Sequence, residues 1–287
     1  MAVLSIQSHV VYGYAGNTAA VFPLQRLGRE VWAINTVEFS NHTGYGAWRG
    51  KVLGAELSAD LVTGLEERGV LKRCEAVLSG YLGDADVAMS IADAVKKARK
   101  ESPNAIYACD PVMGDVGRGF YVKPDIPGIF KKELIPLADI ITPNQFELNA
   151  ITGMNTQNMD DTLKAVKLLH EMGPSIVLVT SYREKDGELS MIASDKNETY
   201  KITTPELPLD SGVAGTGDMT AAVFLSRYLE TKDLKKTLEL CTASVFGILE
   251  ASFKTADKKS GALIELKIID NQKELVSPSY SFKAEKI

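Results

Sequence analysis

Short apolar runs rich in β-branched residues alternate along this chain with longer segments in which apolar residues recur every three or four positions. A short uninterrupted run is typical of a buried strand, and the three-to-four spacing is typical of an amphipathic helix. The runs predict strands at residues 3–6, 31–36, 75–78, 105–109, 138–141, 176–179 and 263–269. Asp186-Gly187 predicts a hairpin turn between two shorter strands.

The helical spacing predicts helices at residues 16–27, 84–100, 144–151, 160–172, 218–230 and 233–253. In the second of these, Val87, Ile91 and Val95 share one face. Strands that alternate with crossover helices build a mostly parallel central sheet with helices on both faces. Because no linker, repeat or low-complexity tract interrupts the pattern, we expect an α/β fold in a single domain of residues 1–287.

Composition narrows the range of partners. The formal net charge of −5 leaves no basic surplus, so neither nucleic acid nor a membrane is expected as a partner. Cys74, Cys109 and Cys241 are far apart and lack zinc-ligand spacing, which is typical of reduced, buried thiols. The chain shows no signal-peptide pattern and no apolar stretch of the roughly 20 residues that span a membrane, so we expect a cytoplasmic protein. The stretch around Lys258-Lys259 is interpreted as a solvated loop.

Polar side chains follow the predicted strands. In an open α/β sheet, ligands bind beyond the carboxyl ends of the parallel strands, so these positions are the first to inspect. They hold Gln7-Ser8-His9, residues 40–45, Ser79-Gly80-Tyr81, Asp110, Thr142-Pro143-Asn144 with Glu147 one turn later, and Thr180-Ser181. Turns favour some of the same residues, so the pattern indicates a site without specifying it.

The segment Gly215-Thr216-Gly217-Asp218 comes directly before a predicted helix. Free N–H groups at a helix start bind anions, and glycines let the backbone approach the anion closely. Asp218 could accept the proton of a substrate hydroxyl, which is much of what phosphoryl transfer requires. An ordinary turn followed by a first-turn acid explains the same four residues, and both interpretations stay open on the motif alone. The segment is not a Walker A loop, because it lacks the lysine.

The chain resembles the pyridoxal kinases of the ribokinase superfamily over nearly its whole length. The resemblance is carried by residues 7–17, 39–45, 78–81, 109–115, 141–148 and 215–218. The last two segments are similar to the superfamily as a whole, and the first two are similar to pyridoxal kinases in particular. Thr180-Ser181 resembles the eukaryotic branch of the family.

The resemblance implies that ATP phosphorylates the 5′-hydroxyl of pyridoxal, pyridoxamine or pyridoxine, with pyridoxal 5′-phosphate as a product. It implies that Asp218 is the catalytic base and that the backbone of Gly215 to Gly217 is an anion hole. The residues implied in vitamer binding are Ser8, Val37, Phe39, His42, Thr43, Tyr81 and Asp218 itself, with Trp48 nearby. Those implied on the nucleotide side are Asp110, Asp115, Tyr121, Asn144, Glu147, Thr180, Ser181 and Thr216. Residues 115–121 are the implied flap over ATP.

The resemblance further implies Mg²⁺ or another divalent cation with ATP, held by Asp110 and Glu147 directly or through water. A monovalent cation such as K⁺ and a homodimer are also implied. Each residue keeps a structural alternative: Ser8 and Thr43 as turn caps, the aromatic residues as core or surface, and Asn144 as a helix N-cap.

Two other classes of function stay open at this stage. Another kinase of the superfamily would act on hydroxymethylpyrimidine or a sugar. A protein that binds the vitamer without catalysis would not need the Gly-Thr-Gly-Asp segment. A Rossmann dehydrogenase is disfavoured, because Gly13 and Gly16 do not have G-x-G-x-x-G spacing.

Overall fold

The computed structural model describes residues 1–208, 212–256 and 263–287. Within these residues a ten-stranded sheet forms the centre of the molecule. Its strands are β1 (Ala2–Tyr12), β2 (Glu30–Asn41), β3 (Gly50–Val52), β4 (Cys74–Ser79), β5 (Ile106–Cys109), β8 (Ile140–Ile141), β9 (Ile176–Tyr182), β10 (Glu188–Asp195), β11 (Thr199–Pro205) and β12 (Glu285–Lys286). A separate small hairpin consists of β6 (Gly114–Asp115) and β7 (Gly119–Phe120).

Helices connect these strands. They are α1 (Asn17–Arg26), α2 (Gly54–Glu67), α3 (Val87–Glu101), α4 (Ile126–Ile129), α5 (Gln145–Thr152), α6 (Met159–Met172), α7 (Thr216–Thr231), α8 (Leu234–Thr255) and α9 (Lys273–Val276). Single turns of 3₁₀-helix occur at Thr43–Tyr45, Leu71–Arg73 and Ile135–Leu137, and a π-helical turn occurs at Phe130–Leu134. None of the helices in the described ranges is both long enough and apolar enough to cross a membrane.

The sheet order is β12-β11-β10-β9-β8-β5-β4-β1-β2-β3. The six central strands from β9 to β2 are parallel, and the strands added at both edges pair antiparallel. The predicted α/β architecture is therefore confirmed. Because the central strands are parallel, the polar residues that follow them lie along one edge of the sheet.

Two hydrophobic cores occupy the two faces of the sheet. Leu4 and Ile6 of β1 point into a core with α2, α3, α5 and α6, whereas Val3 points into a core with α1, α7 and α8. A strand that is covered on both faces has apolar residues at most positions, which is why the central strands are nearly continuous apolar runs in the sequence.

Several predictions of local structure differ from the structure, including the strand predicted at residues 31–36, which extends to Asn41 as β2. β1 continues to Tyr12 instead of ending at residue 6, because β2 goes on pairing with it after its pairing with β4 ends at Ile6. The strand predicted at residues 263–269 is wrong, since Ile264 makes only an isolated bridge to Val213. β3 and α2 were not predicted. Lys258-Lys259 lies outside the described residues.

Candidate active site

The loop before α7 is shaped by Gly215. Its φ of 76° is left-handed, and a β-carbon there would lie only 2.4 Å from the carbonyl oxygen of Tyr14. Glycine is therefore required at this position, and the N–H groups at the start of α7 remain available to an anion. The hydroxyl of Thr216, the first residue of α7, is buried and finds no hydrogen-bond partner within the described part of the chain.

Asp218 lies half-buried in the first turn of α7, on the same edge of the sheet as Asp110. Burial raises the pKa of Asp218, and a hydrogen bond from the backbone N–H of Gly16 opposes that shift. Gly16 also lies against Ser8, because a β-carbon on Gly16 would be 2.3 Å from the Ser8 hydroxyl oxygen. One glycine thus lies between the predicted base and the predicted vitamer-binding serine.

Asp110 follows β5 and is 5% exposed. Its Oδ1 atom accepts a hydrogen bond of 2.8 Å from the Thr142 hydroxyl, and its Oδ2 atom faces Gly217. Burial, together with the charge of Asp218, raises the pKa of Asp110 well above its ordinary value. The two carboxylates therefore oppose each other's ionisation, as they would at a site that receives a cation.

Glu147 is held inward by a capping box at the start of α5. The Asn144 side chain accepts the Glu147 N–H at 2.9 Å, and the Glu147 carboxylate accepts the Asn144 N–H at 3.0 Å. The same carboxylate accepts the Met113 N–H at 2.9 Å. Burial raises the pKa of Glu147, and the nearby charge of Asp110 raises it further. Asn144 is the N-cap that the structural alternative expected, and the cap orients Glu147 toward Asp110.

The predicted flap is the β6–β7 hairpin, and it is tied to this cluster. The Asn144 side chain donates to the Gly114 carbonyl at 2.8 Å, and the Tyr121 N–H donates to the Met113 carbonyl at 3.2 Å. Although half of the Tyr121 side chain is exposed, burial of its hydroxyl end and the charges of Glu147, Asp110 and Asp218 raise its pKa. Tyr121 is thus within electrostatic reach of the three carboxylates, whereas exposed Asp115 accepts the Val116 N–H at 2.8 Å in the hairpin.

Thr180 and Ser181 lie at the end of β9, next to α5. The Thr180 N–H donates to the Pro143 carbonyl at 2.9 Å, and Thr180 bridges Asn144. Ser181 has a φ of 54°, a left-handed conformation that residues other than glycine rarely adopt. Backbone strain of this kind is common at ligand sites.

The predicted vitamer-binding residues lie within β1, within β2 and in the loops that follow β2 and β4. Val37 is fully buried against Gly83, and the rings of Phe39 and Trp48 are 6.2 Å apart. Thr43 is exposed and begins the turn Thr43–Tyr45.

His42 caps that turn, with its Nδ1 atom accepting the Gly44 N–H at 3.1 Å. Burial, and then the nearby charge of flap residue Arg118, lower the pKa of His42. Tyr81 lies two residues before Gly83, and burial raises the pKa of its hydroxyl.

A cavity of about 580 Å³ lies beyond Ser181, between the β10–β11 strands and α8. Its lining is mostly apolar and consists of Arg183, Gly187, Leu189, Met191, Thr204, Pro205, Glu206, Leu207, Pro208, Thr242, Val245, Phe246 and Leu249. Arg183 and Glu206 form an ion pair there. Sequence reasoning missed these residues, because their apolar spacing on α8 and β10 is the same as that of a packed core.

Comparison with known proteins decides the family. The chain is 46% identical over 292 residues to a pyridoxal kinase PdxY from Granulibacter bethesdensis, covering 99% of both chains. It is 45% identical over 289 residues to a pyridoxal kinase PdxY from Rubrobacter xylanophilus, covering 99% of this chain and 97% of that relative. The chain belongs to the pyridoxal kinase family. The family model described as phosphomethylpyrimidine kinase matches residues 58–263.

Solved pyridoxal kinases share the fold. A pyridoxal kinase from Leishmania donovani, in complex with ADP and pyridoxamine, superposes with a TM-score of 0.93 at 29% identity and covers 99% of each chain. Thr180-Ser181 resembles the eukaryotic branch, but overall sequence identity does not follow this resemblance. It is 46% and 45% to the two bacterial pyridoxal kinases and 29% to the Leishmania donovani protein. The match to the phosphomethylpyrimidine kinase model begins after Ser8, Thr43 and Trp48, so it leaves out most of the vitamer-side residues.

The donor set of this pyridoxal kinase site has consequences for metal binding. Among residues 1–208, 212–256 and 263–287, no three His, Cys, Asp or Glu side chains converge as ligands of one metal ion. Asp110 and Glu147 are nevertheless hard oxygen donors with raised pKa values. They fit a divalent cation that keeps water and phosphate ligands of its own, as Mg²⁺ does.

Proposed function

We propose that the protein transfers the γ-phosphoryl group of ATP to the 5′-hydroxyl of pyridoxal, and also of pyridoxamine and pyridoxine. The observation that carries the proposal is the position of Asp218. Its carboxyl group lies in the turn that follows the Gly215 loop, linked through Gly16 to Ser8 and electrostatically coupled to Asp110. Phosphoryl transfer needs a proton acceptor near both an anion site and the acceptor hydroxyl, so these contacts of Asp218 support the proposal.

Each group has a role in this proposal. Asp218 accepts the proton of the 5′-hydroxyl as that oxygen attacks the γ-phosphorus atom, and ADP departs with the electrons of the broken bond. The N–H groups of residues 215–217 stabilise the charge that develops on the transferred group. Ser8, Thr43 and Tyr81 hold the pyridine ring and its substituents, with Val37, Phe39, His42 and Trp48 as the surrounding wall.

The nucleotide is proposed to extend from the Gly215 loop past Thr180 and Ser181 into the cavity beside α8, where the apolar lining would receive the base. Asp110 and Glu147 would hold Mg²⁺, which would neutralise phosphate charge. Tyr121 and the β6–β7 hairpin would exclude water, which otherwise competes for the phosphoryl group.

The experiment that tests the proposal is turnover of pyridoxal by the purified protein and by Asp218→Asn. We expect kcat to fall by about 10³-fold in the variant, because general base catalysis is lost, while the dissociation constant for pyridoxal changes little. Equal kcat values in the two proteins would remove Asp218 from the mechanism.

A second candidate substrate is hydroxymethylpyrimidine, which the match to the phosphomethylpyrimidine kinase model favours. Parallel assays with hydroxymethylpyrimidine, pyridoxal and ribose test this candidate. Turnover of hydroxymethylpyrimidine without turnover of pyridoxal would make it the function instead.

The family resemblance also supports the finer proposals that the protein is a homodimer, cytoplasmic, and activated by K⁺. Sedimentation velocity would test the dimer, and turnover with K⁺ replaced by tetramethylammonium would test the cation.

A further inference from the structure

Glu265 lies in the irregular segment after α8 and contacts two loops that are far away in the sequence. Its Oε2 atom accepts the backbone N–H of Tyr14 at 2.9 Å, and its Oε1 atom accepts the hydroxyl of Tyr45 at 2.8 Å. A β-carbon on Gly13 would lie 2.3 Å from Oε1, and Gly13 has a φ of 84°. Glycine at position 13 therefore lets the carboxylate reach both partners.

The first contact connects Glu265 to the loop around Gly215, the proposed anion loop. The carbonyl oxygen of Tyr14 would be 2.4 Å from a β-carbon on Gly215, so Tyr14 lies directly against that loop. The residue before Glu265 pairs with the same loop: the Ile264 N–H donates to Gly212 at 3.1 Å, and its carbonyl accepts from Ala214 at 3.4 Å. The loop is thus supported from two sides by one short segment.

The second contact connects Glu265, through Tyr45, to the proposed vitamer pocket. Tyr45 ends the single turn that Thr43 begins, and its ring lies 6.0 Å from that of Tyr12. The turn is exposed and short, so a hydrogen bond at its end restricts how far Thr43 can move. A bond from hydroxyl to carboxylate is among the stronger ones in proteins.

We propose that Glu265 is a positioning residue that fixes the vitamer-binding turn Thr43–Tyr45 relative to the anion loop at Gly215. The inference rests on the proposed function, since it concerns the distance between the acceptor hydroxyl and the transferred phosphoryl group. A displacement of about 1 Å in such a distance can cost on the order of 10²-fold in rate.

The chain offers a matched control in Glu274. Its Oε2 atom also accepts one backbone N–H and one hydroxyl, from Ser279 at 2.8 Å and 3.0 Å. It too lies against a glycine, because a β-carbon on Gly247 would be 2.4 Å from Oε2. Glu274→Ala therefore removes the same kinds of contact from the same part of the chain, without touching the Thr43 turn or the Gly215 loop.

The test compares steady-state kinetics of the full-length Glu265→Ala, Glu265→Gln, Tyr45→Phe and Glu274→Ala proteins. For Glu265→Ala we expect the KM for pyridoxal to rise about tenfold or more and kcat to fall, because both contacts are lost. Tyr45→Phe removes the turn contact alone, so it should raise the KM for pyridoxal while kcat stays within about twofold. Glu265→Gln keeps a carbonyl oxygen that can accept the Tyr14 N–H and an amide N–H that can donate to the Tyr45 hydroxyl oxygen, so it should restore most of the lost kcat/KM.

Glu274→Ala should lower the thermal midpoint as much as Glu265→Ala and leave both kinetic constants unchanged. The inference is overturned if Glu265→Ala matches the wild type or Glu274→Ala in KM and kcat, or if Glu265→Gln is as impaired as Glu265→Ala. Wild-type turnover of pyridoxal tests the proposed function separately. Turnover in the wild type with no effect of Glu265→Ala would overturn the role of Glu265 alone.

Discussion

The carboxylate of Asp110 faces Gly217, with its Oδ2 atom 3.9 Å from the position that a β-carbon would take on Gly217. The protein itself has room for that carbon, since 3.9 Å is an ordinary van der Waals distance. The space between the two residues is where the phosphates of the proposed reaction would pass. Gly215, two positions earlier, has no such room. The fold therefore requires glycine at position 215, whereas at position 217 only the phosphates of the proposed reaction would require it.

Gly217→Ala should preserve stability and impair catalysis. The added methyl group meets no protein atom closely and suits the first turn of α7, so the thermal midpoint should stay the same or rise slightly. It occupies the approach to the anion loop, and we expect kcat to fall by about 10²-fold. Thermal melts and initial rates on the same preparation check both parts. A variant with a wild-type kcat would show that the phosphates do not use this space.

Gly215→Ala should impair folding. Its β-carbon would clash with the Tyr14 carbonyl oxygen at 2.4 Å, on a backbone with a φ of 76°. We expect the free energy of unfolding to fall by about 2 kcal/mol or more, because neither backbone can move without breaking other contacts. Urea titration followed by circular dichroism measures this change. Equal midpoints for Gly215→Ala and Gly217→Ala would contradict the distinction between the two glycines.

Asp110→Asn should stabilise the ligand-free protein at alkaline pH. Burial and the charge of Asp218 raise the pKa of Asp110 from 3.8 to about 8. Between these values the folded protein binds more protons at Asp110 than the unfolded protein does, so the free energy of unfolding falls as pH rises through this window. The amide carries no charge and can still accept the Thr142 hydroxyl.

We expect Asp110→Asn to gain about 1–2 kcal/mol over the wild type at pH 8.5 and less at pH 6, with turnover greatly reduced. Urea titrations of both proteins at the two pH values measure the difference. A gap that does not widen with pH would show that Asp110 is ionised throughout the range.

Ser181→Gly should relieve the backbone strain at position 181 and weaken ATP binding, and the two effects can be measured separately. Glycine adopts the left-handed conformation at Ser181 without cost, so the free energy of unfolding should rise by about 1 kcal/mol. Loss of the hydroxyl should raise the KM for ATP. Lys232 is the other left-handed residue besides glycine in the described ranges, and it caps the C-terminal end of α7, away from the site. Lys232→Gly is therefore the control, with a similar gain in stability and an unchanged KM for ATP.

The sequence predicted the parallel centre of the sheet because its strands are covered on both faces and must be continuously apolar. The prediction of strand ends failed where polar residues lie inside a strand. Gln7 and Ser8 were expected to follow β1, yet both are buried within it. Gln7 donates to the Ser5 hydroxyl at 2.9 Å, so its amide nitrogen is satisfied inside the strand, whereas its Oε1 atom is buried without a hydrogen-bond partner among the described residues.

The failures at α2 and at residues 263–269 have a different cause. In α2, Leu57 and Leu61 are exposed, while Ser58 and Val62 are buried, so apolar spacing does not mark the buried face. In residues 263–269, alternating apolar residues resemble a strand, but Leu266 is buried by packing against helices without strand pairing. Neither outcome follows from local pattern, since both depend on tertiary contacts.

The capping box of α5 and the left-handed turn before α7 are each encoded by a few adjacent residues, so a local pattern can predict them. Asn144 and Glu147 are three positions apart and hold each other. The mostly apolar cavity is assembled from β10, β11 and α8, and no short stretch of sequence marks it.

The boundary between β4 and β5 divides the central sheet into two groups of neighbouring strands. Each group comes from one continuous part of the chain. On one side lie the strands up to Ser79, and on the other lie those from Ile106 onward. Under the proposed function, the first part chooses the acceptor and the second handles the donor, with Asp218 at the junction. Under the same proposal, substitutions that change the preferred acceptor would therefore concentrate before Ser79, and those that change nucleotide binding would concentrate after Ile106.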